Sequence, residues 1–377
     1  MAQGYDTEEQ KERVLLVGVQ LDNQEDMESS LEELKALAKT AGAETVGKVI
    51  QPRDAYHPAT YIGKGKLEEV RSLIEETGAT GIICDDELSP AQLRNLEDAL
   101  GTKVMDRTMV ILDIFASRAT TSEGKIQVEV AQLKYRSTRL TGLGTTLSRL
   151  GGGIGTRGPG EKKLETDRRI IRDRISRLSK DLEEIKNHRE VARQNRSRTA
   201  VPVAAIVGYT NAGKSTLLNY MTDAGILSED KLFATLDPTT RAMNLPNGEK
   251  ILLTDTVGFI RKLPHNLIEA FKSTLEEAKY ADIIVHVVDA SSPDRDIQMD
   301  VVYKTLKELE VGDKPVVTLF NKCDKFENGD TEAPVLRDFK ADETAYISAR
   351  TGRGIADFEA ILEKIIPVSY THLTLPT

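Results

Sequence analysis

Apolar residues in the first third of the chain switch between continuous runs and helical spacing. Residues 14–19 (VLLVGV) and 81–85 (GIICD) are apolar runs, as expected of buried strands. Between them, Met27, Leu31 and Leu34 recur on one helical face. The predicted strands are 14–19, 46–50 and 81–85, and the predicted helices are 25–41, 66–77 and 89–100. This βαβα order predicts a small parallel α/β domain over residues 1–117.

The middle of the chain predicts two long helices around a glycine-rich loop. The first is predicted over 122–140 and the second over 161–195, where apolar residues follow a heptad seam. The loop 142–160 contains eight glycines. We therefore predict a helical hairpin linker over 118–200, with the loop either a binding element or a plain linker.

After Val201 the pattern again alternates strands and helices. The predicted strands are 203–207, 251–254, 282–288, 315–320 and 345–347, and the predicted helices are 214–222, 265–279, 297–309 and 354–365. Such alternation predicts a doubly wound α/β sheet over 201–367. The predicted last helix ends at Pro367, and residues 368–377 have no periodic pattern. We treat them as an atypical tail, truncated or artefactual, outside the fold.

Composition and charge narrow the class of protein. Of 377 residues, 39% are apolar and 29% are charged, a balance that excludes a disordered chain of low hydrophobicity. The chain has only two cysteines, which excludes a small protein held together by disulfides. The sequence shows neither a transmembrane segment nor a signal peptide, so we expect a cytoplasmic protein and leave peripheral membrane contact open.

Basic residues concentrate in the middle region. The chain carries a net charge of −9, yet 118–200 has 20 Lys and Arg against 10 Asp and Glu. Two interpretations stand: contact with a polyanion, or packing against an acidic neighbouring domain. We expect no contact with DNA.

The strongest motif is a phosphate-binding loop. The sequence GYTNAGKS at 208–215 matches GxxxxGK[ST] between an apolar strand and an apolar helix start. Its amides would hold phosphates, Lys214 would bridge the β- and γ-phosphates, and Ser215 would bind Mg²⁺. The predicted nucleotide-binding residues here are Gly208, Tyr209, Thr210, Asn211, Ala212, Gly213, Lys214 and Ser215.

Two later motifs predict guanine recognition. Asn321, Lys322, Cys323 and Asp324 follow an apolar strand, 107 residues after Lys214. A carboxylate at Asp324 accepts hydrogen bonds from guanine, whereas adenine has no donor there. Backbone amides of a further segment would reach the guanine oxygen; it consists of Ser348, Ala349 and Arg350. The predicted ligands are GTP and GDP.

Residues between these motifs predict the switch segments. The sequence DTVG supplies a Walker-B-type acid, Asp255, and Gly258, whose amide would contact the γ-phosphate. In FATLDPTTR at 233–241 we choose Thr235 as the second Mg²⁺ ligand, with Thr239 as the alternative. We expect Lys214, Thr235 and Gly258 to act on the reacting phosphate. The predicted nucleotide-binding residues of the two segments are Phe233, Ala234, Thr235, Leu236, Asp237, Asp255, Thr256, Val257 and Gly258.

Two residues bear on the rate of hydrolysis. Phe259 stands where Ras-like GTPases place a water-orienting glutamine, which predicts slow intrinsic turnover and activation by a partner. Asn211 either binds K⁺ beside the phosphates or supports the turn of the loop, and the turn is the favoured interpretation.

These motifs together resemble the HflX family of translation-associated GTPases, close to the Obg group. The resemblance rests on GYTNAGKS, FATLDPTTR, DTVGFI, NKCD and SAR, and on YIGKGKLEE and GGGIGTRGPGEKKLETDRR upstream. It extends over about residues 10–367. It implies an N-terminal α/β domain, a helical linker and a GTPase domain.

The resemblance also implies a function. Such a protein would bind the large ribosomal subunit, place the loop 142–160 near rRNA, and dissociate stalled ribosomes during stress. The alternatives are a signalling switch that acts on a protein effector, a nucleotide-driven RNA remodelling factor, and an RNA-binding module in which nucleotide is structural.

Overall fold

A computed structural model describes residues 11–22, 26–140, 159–197, 201–222, 232–233, 236–264, 277–326 and 336–371. Side chains are described for these residues except at 159–164, 190–197 and 367–371. The chain forms two compact units. The first unit consists of Met1–Ser117 and Gln132–Ile175, and the second unit consists of Arg118–Ala131 and Ser176–Thr377. The division into 1–117, 118–200, 201–367 and 368–377 stays a prediction.

A four-stranded parallel sheet with the order β2-β1-β3-β4 forms the centre of the first unit. Its strands are β1 (Arg13–Gln20), β2 (Glu44–Pro52), β3 (Gly81–Cys84) and β4 (Lys103–Asp106), and its helices are α1 (Met27–Thr40), α2 (Lys64–Thr77), α3 (Pro90–Leu100) and α4 (Arg107–Arg118). The parallel α/β architecture is confirmed. The pair β4 and α4 was not predicted, because a four-residue strand is too short to show a period.

Both long helices of the middle region are present, as α5 (Ser122–Leu140) and α6 (Pro159–Ser197). Their bounds agree with the prediction to within two residues. Nη2 of Arg168 donates to the carbonyl oxygen of Leu140 at 2.7 Å, and Arg189 pairs with Glu123. These contacts join the helices in the order that an antiparallel pair requires. Residues 142–158 of the predicted loop lie outside the described residues.

The sheet of the second unit has six strands in the order β10-β9-β8-β5-β7-β6. They are β5 (Val203–Gly208), β6 (Thr239–Asn244), β7 (Lys250–Asp255), β8 (Ile283–Asp289), β9 (Val316–Asn321) and β10 (Glu343–Tyr346). All pairs are parallel except β6 with β7. The edge strand β6 was not predicted, because its sequence TTRAMN is mostly polar and most of its side chains are exposed or only partly buried. Central strands β5 and β8 are buried, as parallel strands between helix layers are.

The second unit also contains the helices α7 (Lys214–Thr222), α8 (Arg295–Glu308) and α9 (Ile355–Thr371). The prediction that the last helix ends at Pro367 is wrong, because α9 continues to Thr371. Proline removes one helical hydrogen bond but does not prevent the following residues from being helical. Of the predicted helix 265–279, only 277–279 are described, and these are helical. None of the helices in the described ranges has both the length and the apolar character needed to cross a bilayer.

Candidate functional site

The loop between β5 and α7 has the backbone shape of a phosphate-binding loop. Gly208 and Gly213 have positive φ angles of 153° and 101°. A Cβ at Gly208 would collide with the carbonyl oxygen of Val287, and a Cβ at Gly213 would collide with the side-chain amide nitrogen of Asn321. Glycine is therefore required at both positions for conformation and for space. Asn211 also has a positive φ, 60°, which asparagine tolerates and which agrees with a turn residue.

Lys214 is directed along this loop. Its side chain is buried, and Nζ donates to the carbonyl oxygen of Tyr209 at 2.9 Å. Burial lowers the pKa of Lys214 to about 8, although the nearby Asp255 carboxylate favours the charged form. A buried ammonium group at a helix N-terminus is a strong site for anionic phosphate.

Two oxygen ligands suited to Mg²⁺ lie together at the start of α7 and the end of β7. Oγ of Ser215 donates to Oδ2 of Asp255 at 2.7 Å, and Asp255 is fully buried. A hydroxyl and a carboxylate are hard oxygen donors of the kind that Mg²⁺ prefers, so these residues fit the ion. When bound, Mg²⁺ neutralises phosphate charge as it accumulates during transfer.

Asn321 links the base-binding motif to the phosphate loop. Its Nδ2 donates to the carbonyl oxygen of Ala212 at 2.8 Å, and its Oδ1 accepts from the amide of Ala349 at 2.9 Å. Nζ of Lys322 donates to the carbonyl oxygen of Asn211 at 2.7 Å and pairs with Asp289 at 2.7 Å. The motif thus holds the phosphate loop in place, and its contact with the base stays a prediction.

Asp324 is oriented from one side by Ser348. Oγ of Ser348 donates to Oδ1 of Asp324 at 2.7 Å, and the contact of this carboxylate with guanine stays a prediction. The amides of Ser348 and Ala349 donate within the protein, to the carbonyl oxygen of Arg353 and to Asn321. Within the described ranges the amide of Arg350 has no protein acceptor, and the contact of this segment with the guanine oxygen stays a prediction.

The segment after Asp255 lies against the phosphate loop. The amide of Thr210 donates to the carbonyl oxygen of Phe259 at 2.8 Å, and the amide of Phe259 donates to that of Gly208 at 3.1 Å. A Cβ at Gly258 would lie 2.9 Å from Nζ of Lys214. The same Cβ would lie 2.9 Å from Cα of Thr210, so glycine is required where this segment passes the backbone of the phosphate loop. Phe259 is 1% exposed, so its ring is inside the protein.

The predicted first switch is described in part. Ala234 and Thr235 lie outside the described residues, so the choice of Thr235 stays a prediction. Thr239 begins β6 and pairs with Asp255 in the ladder, which gives it a structural role. Phe233 and Leu236 are buried. The carboxylate of Asp237, predicted to bind nucleotide, accepts hydrogen bonds from Thr120 and Thr121.

Sequence reasoning missed the residues that support this site from outside its motifs. Arg261 is buried, pairs with Asp294 at 3.0 Å, and donates its amide to the hydroxyl of Tyr209 at 2.8 Å. Asp289 supports Lys322. Their signal in the sequence is weak, because an aspartate after a strand or an arginine in a loop is common.

Comparison with known proteins agrees with this geometry. Residues 28–116 match the family model "GTP-binding GTPase N-terminal", 118–196 match "GTP-binding GTPase Middle Region", and 203–322 match "50S ribosome-binding GTPase". A curated relative, GTPase HflX of Lacrimispora saccharolytica, is 66% identical over 366 residues, covering 97% of this chain and 86% of the relative. GTPase HflX of Escherichia coli is 43% identical over 363 residues, covering 96% and 84%.

A solved structure extends the similarity to the fold. The crystal structure of SsGBP in complex with GDP has a TM-score of 0.52 and 26% identity, and the match covers 95% of this chain and 99% of that one. The phosphate loop, the Ser215–Asp255 pair and the Asp324 motif are the parts that a GTPase needs to bind and hydrolyse GTP. With these parts in place and with such relatives, the chain belongs to the HflX family of GTPases and hydrolyses GTP.

Proposed function

We propose that this GTPase binds the large ribosomal subunit through rRNA and dissociates stalled ribosomes under stress, in the cytoplasm. The observation that carries the proposal is the match of 203–322 to a model described as a 50S ribosome-binding GTPase, in a chain whose GTP site is intact. GTP must favour the ribosome-bound state over GDP, because a ligand shifts an equilibrium only by its differential affinity.

The long helix α6 supports rRNA as the partner. Arg169, Arg172 and Arg177 are exposed on it. Arginine forms bidentate bonds with phosphate, so an exposed basic helix favours contact with a nucleic-acid backbone. The loop 142–160, which precedes this helix in the chain, is the other segment that we propose for rRNA contact.

Stimulated turnover tests the proposal. GTP turnover is measured with and without purified large ribosomal subunits, at several salt concentrations. We expect strong stimulation, and an affinity that falls steeply with salt because phosphate contacts release counterions. Binding without salt dependence, or no binding, would overturn the rRNA proposal. Stimulation by a protein fraction alone would favour the effector-switch alternative, and unwinding of free RNA with GTP would favour the remodelling alternative.

Charge reversal on α6 locates the contact. The double variant Arg169→Glu with Arg172→Glu should weaken subunit binding and reduce the salt slope. Lys304→Glu with Lys307→Glu changes the charge equally on exposed positions of α8 and serves as the matched control. Equal losses in both double variants would show a general charge effect and would contradict a contact on α6.

Metal ions complete the proposal. As in GTPase domains generally, GTP binding depends on Mg²⁺, and we propose Ser215 and Thr235 as its protein ligands, with Asp255 holding the surrounding shell. A K⁺ ion beside Asn211 stays a prediction. Equal turnover in K⁺ and in Na⁺ would remove it.

A further inference from the structure

Four hydrogen bonds hold the carboxylate of Asp237, and all four come from two adjacent residues. Oδ2 accepts from the amide and hydroxyl of Thr120, at 2.9 and 2.7 Å, and from the amide of Thr121 at 2.9 Å. Oδ1 accepts from the hydroxyl of Thr121 at 2.5 Å. Thr120 and Thr121 directly precede α5, so an aspartate of the first switch is bound at the start of a helix more than 100 residues upstream. We call this set the threonine clamp.

The first turn of α5 is shaped around this carboxylate. Gly124 is buried in the helix, and a Cβ there would collide with Oδ1 of Asp237. Its amide donates to the hydroxyl of Thr121 at 3.0 Å. Glycine inside a helix is unfavourable, so its presence here has a reason in the close approach of Asp237.

Charged neighbours hold the same turn in place. Arg189 pairs with Glu123, and its Nη1 lies 3.6 Å from Oε1 of Glu277. Partial burial alone would raise the pKa of Asp237, but the hydrogen bonds from Thr121 and Thr120 outweigh burial and keep the pKa below its usual value. Asp237 is therefore ionised at neutral pH, the form that accepts all four hydrogen bonds.

The clamp fixes one end of the switch. Thr239 pairs with Asp255 in the ladder, Asp237 is clamped, and Leu236 is buried. Thr235 stands two residues before Asp237 in the sequence, and two residues of fully extended chain span at most about 7 Å. A threonine tethered so closely loses less freedom when it reaches Mg²⁺ than one on a free loop.

We propose that Asp237 is a positioning residue for GTP hydrolysis, tying the switch that carries Thr235 to the start of α5. The inference rests on the proposed role of Thr235. Because coupling is reciprocal, GTP that orders the switch must also stabilise the segment 118–131, which contains the two threonines and the first turns of α5. In this way the nucleotide state reaches the helical linker.

Nucleotide selectivity tests the positioning role. In the full chain, Asp237→Ala should weaken binding of the non-hydrolysable analogue guanosine imidotriphosphate by about fivefold or more. GDP affinity should stay within about twofold, because the switch contacts the triphosphate only. The kcat for GTP should fall as well. Equal weakening of both nucleotides would reduce Asp237 to a structural residue, and tighter binding of the analogue would show that the clamp holds the switch away. Either result overturns the proposal.

Two further changes leave Asp237 in place. Thr121→Val removes the hydroxyl with little change in shape, whereas Thr121→Ser keeps the hydroxyl and should restore selectivity. Gly124→Ala should displace the carboxylate although alanine favours the helix. In the unmodified protein, hydrogen exchange over 118–131 should be slower with the analogue than with GDP, and Gly124→Ala should abolish the difference. Exchange that is insensitive to nucleotide would contradict the coupling.

Thr235→Ala separates this inference from the proposal beneath it. If Thr235→Ala leaves analogue affinity and kcat unchanged, the assignment of Thr235 fails, and with it the reason for positioning. If Thr235→Ala is impaired while Asp237→Ala is not, the assignment stands and only the clamp proposal fails.

Discussion

The hydroxyl of Ser215 and the carboxylate of Asp255 are joined by a 2.7 Å hydrogen bond between the first turn of α7 and the end of β7. Strands β5 and β7 are parallel neighbours, so the residues that follow β5 meet the end of β7 at one edge of the sheet. The fold thus places both oxygens side by side at this edge of the sheet. Little reorganisation is then needed when the oxygens bind the metal and its shell.

Removing the Ser215 hydroxyl should abolish metal-assisted turnover. Ser215→Ala deletes a predicted Mg²⁺ ligand and leaves Asp255 without this hydrogen bond. We expect kcat to fall by about a hundredfold or more, the size of effect seen when one such stabilising group is lost. The measurement is GTP turnover against Mg²⁺ concentration. Ser215→Thr, which keeps the hydroxyl and still matches the loop motif, is the control. Normal Mg²⁺ dependence in Ser215→Ala would contradict the assignment.

Changing Asp324 should change the base that is bound. Asp324→Asn replaces an acceptor with a donor facing the guanine 2-amino group, so GTP affinity should fall by about two orders of magnitude. The same amide can donate to the 2-oxygen of xanthine, and affinity for xanthosine triphosphate should rise. Equilibrium binding of both nucleotides measures the exchange. Asp324→Ala, which cannot donate, should lose GTP without gaining the xanthine nucleotide. Unchanged GTP affinity in Asp324→Asn would show that this carboxylate does not read the base.

Local patterns were sufficient to predict most of the fold and the centre of the site. The phosphate loop, Asp255 and Asn321 follow apolar strands, and the motifs and their spacing along the chain assigned them to one nucleotide site. Strand β6 was not predicted because this exposed edge strand has no apolar alternation in its sequence. The end of the last helix was predicted wrongly at Pro367 because one missing hydrogen bond does not end a helix.

Long-range partners could not be predicted in this way. Nothing in the residues around Thr120 indicates that their hydroxyls and amides meet Asp237, since that contact depends on where the start of α5 lies relative to the segment before β6. The same holds for Arg261 with Asp294. Contacts of this kind are decided by tertiary packing, and single-sequence patterns report only local structure.

We expect Phe259 to stabilise the fold by packing. We do not expect it to take over the role of the water-orienting glutamine that Ras-like GTPases have at this position. Because the ring is buried, Phe259→Gln places an amide where water does not reach, at a cost of about 1–3 kcal/mol for unsatisfied polar groups. We expect a lower Tm and no increase in basal kcat. Phe259→Leu stays apolar and should lose less stability. Thermal unfolding and turnover, with and without large ribosomal subunits, measure both effects. A stable Phe259→Gln protein with faster basal turnover would show that this side chain reaches the attacking water.

Nucleotide affinity should depend on the protonation of Lys214. Burial lowers the pKa of its ammonium group to about 8, and bound phosphates must raise the pKa because their charge favours the protonated form. Binding therefore takes up a proton above pH 8. Affinity should be nearly constant below about pH 7 and fall by about tenfold between pH 7 and pH 9. The free energy of unfolding of the nucleotide-free protein should instead rise between pH 8 and pH 10. In this range Lys214 is deprotonated in the folded protein but still protonated in the unfolded chain, so raising the pH disfavours unfolding.

Calorimetric GDP binding in buffers of different ionisation enthalpy measures this proton uptake directly. Lys214→Arg stays protonated over the whole range and corrects for titration of the nucleotide itself. The unmodified protein should show uptake that the arginine variant lacks, rising from about zero at pH 7 to nearly one proton at pH 9. Identical proton uptake in both proteins would mean that Lys214 is fully protonated before the nucleotide binds. The pH dependence of binding would then not come from Lys214.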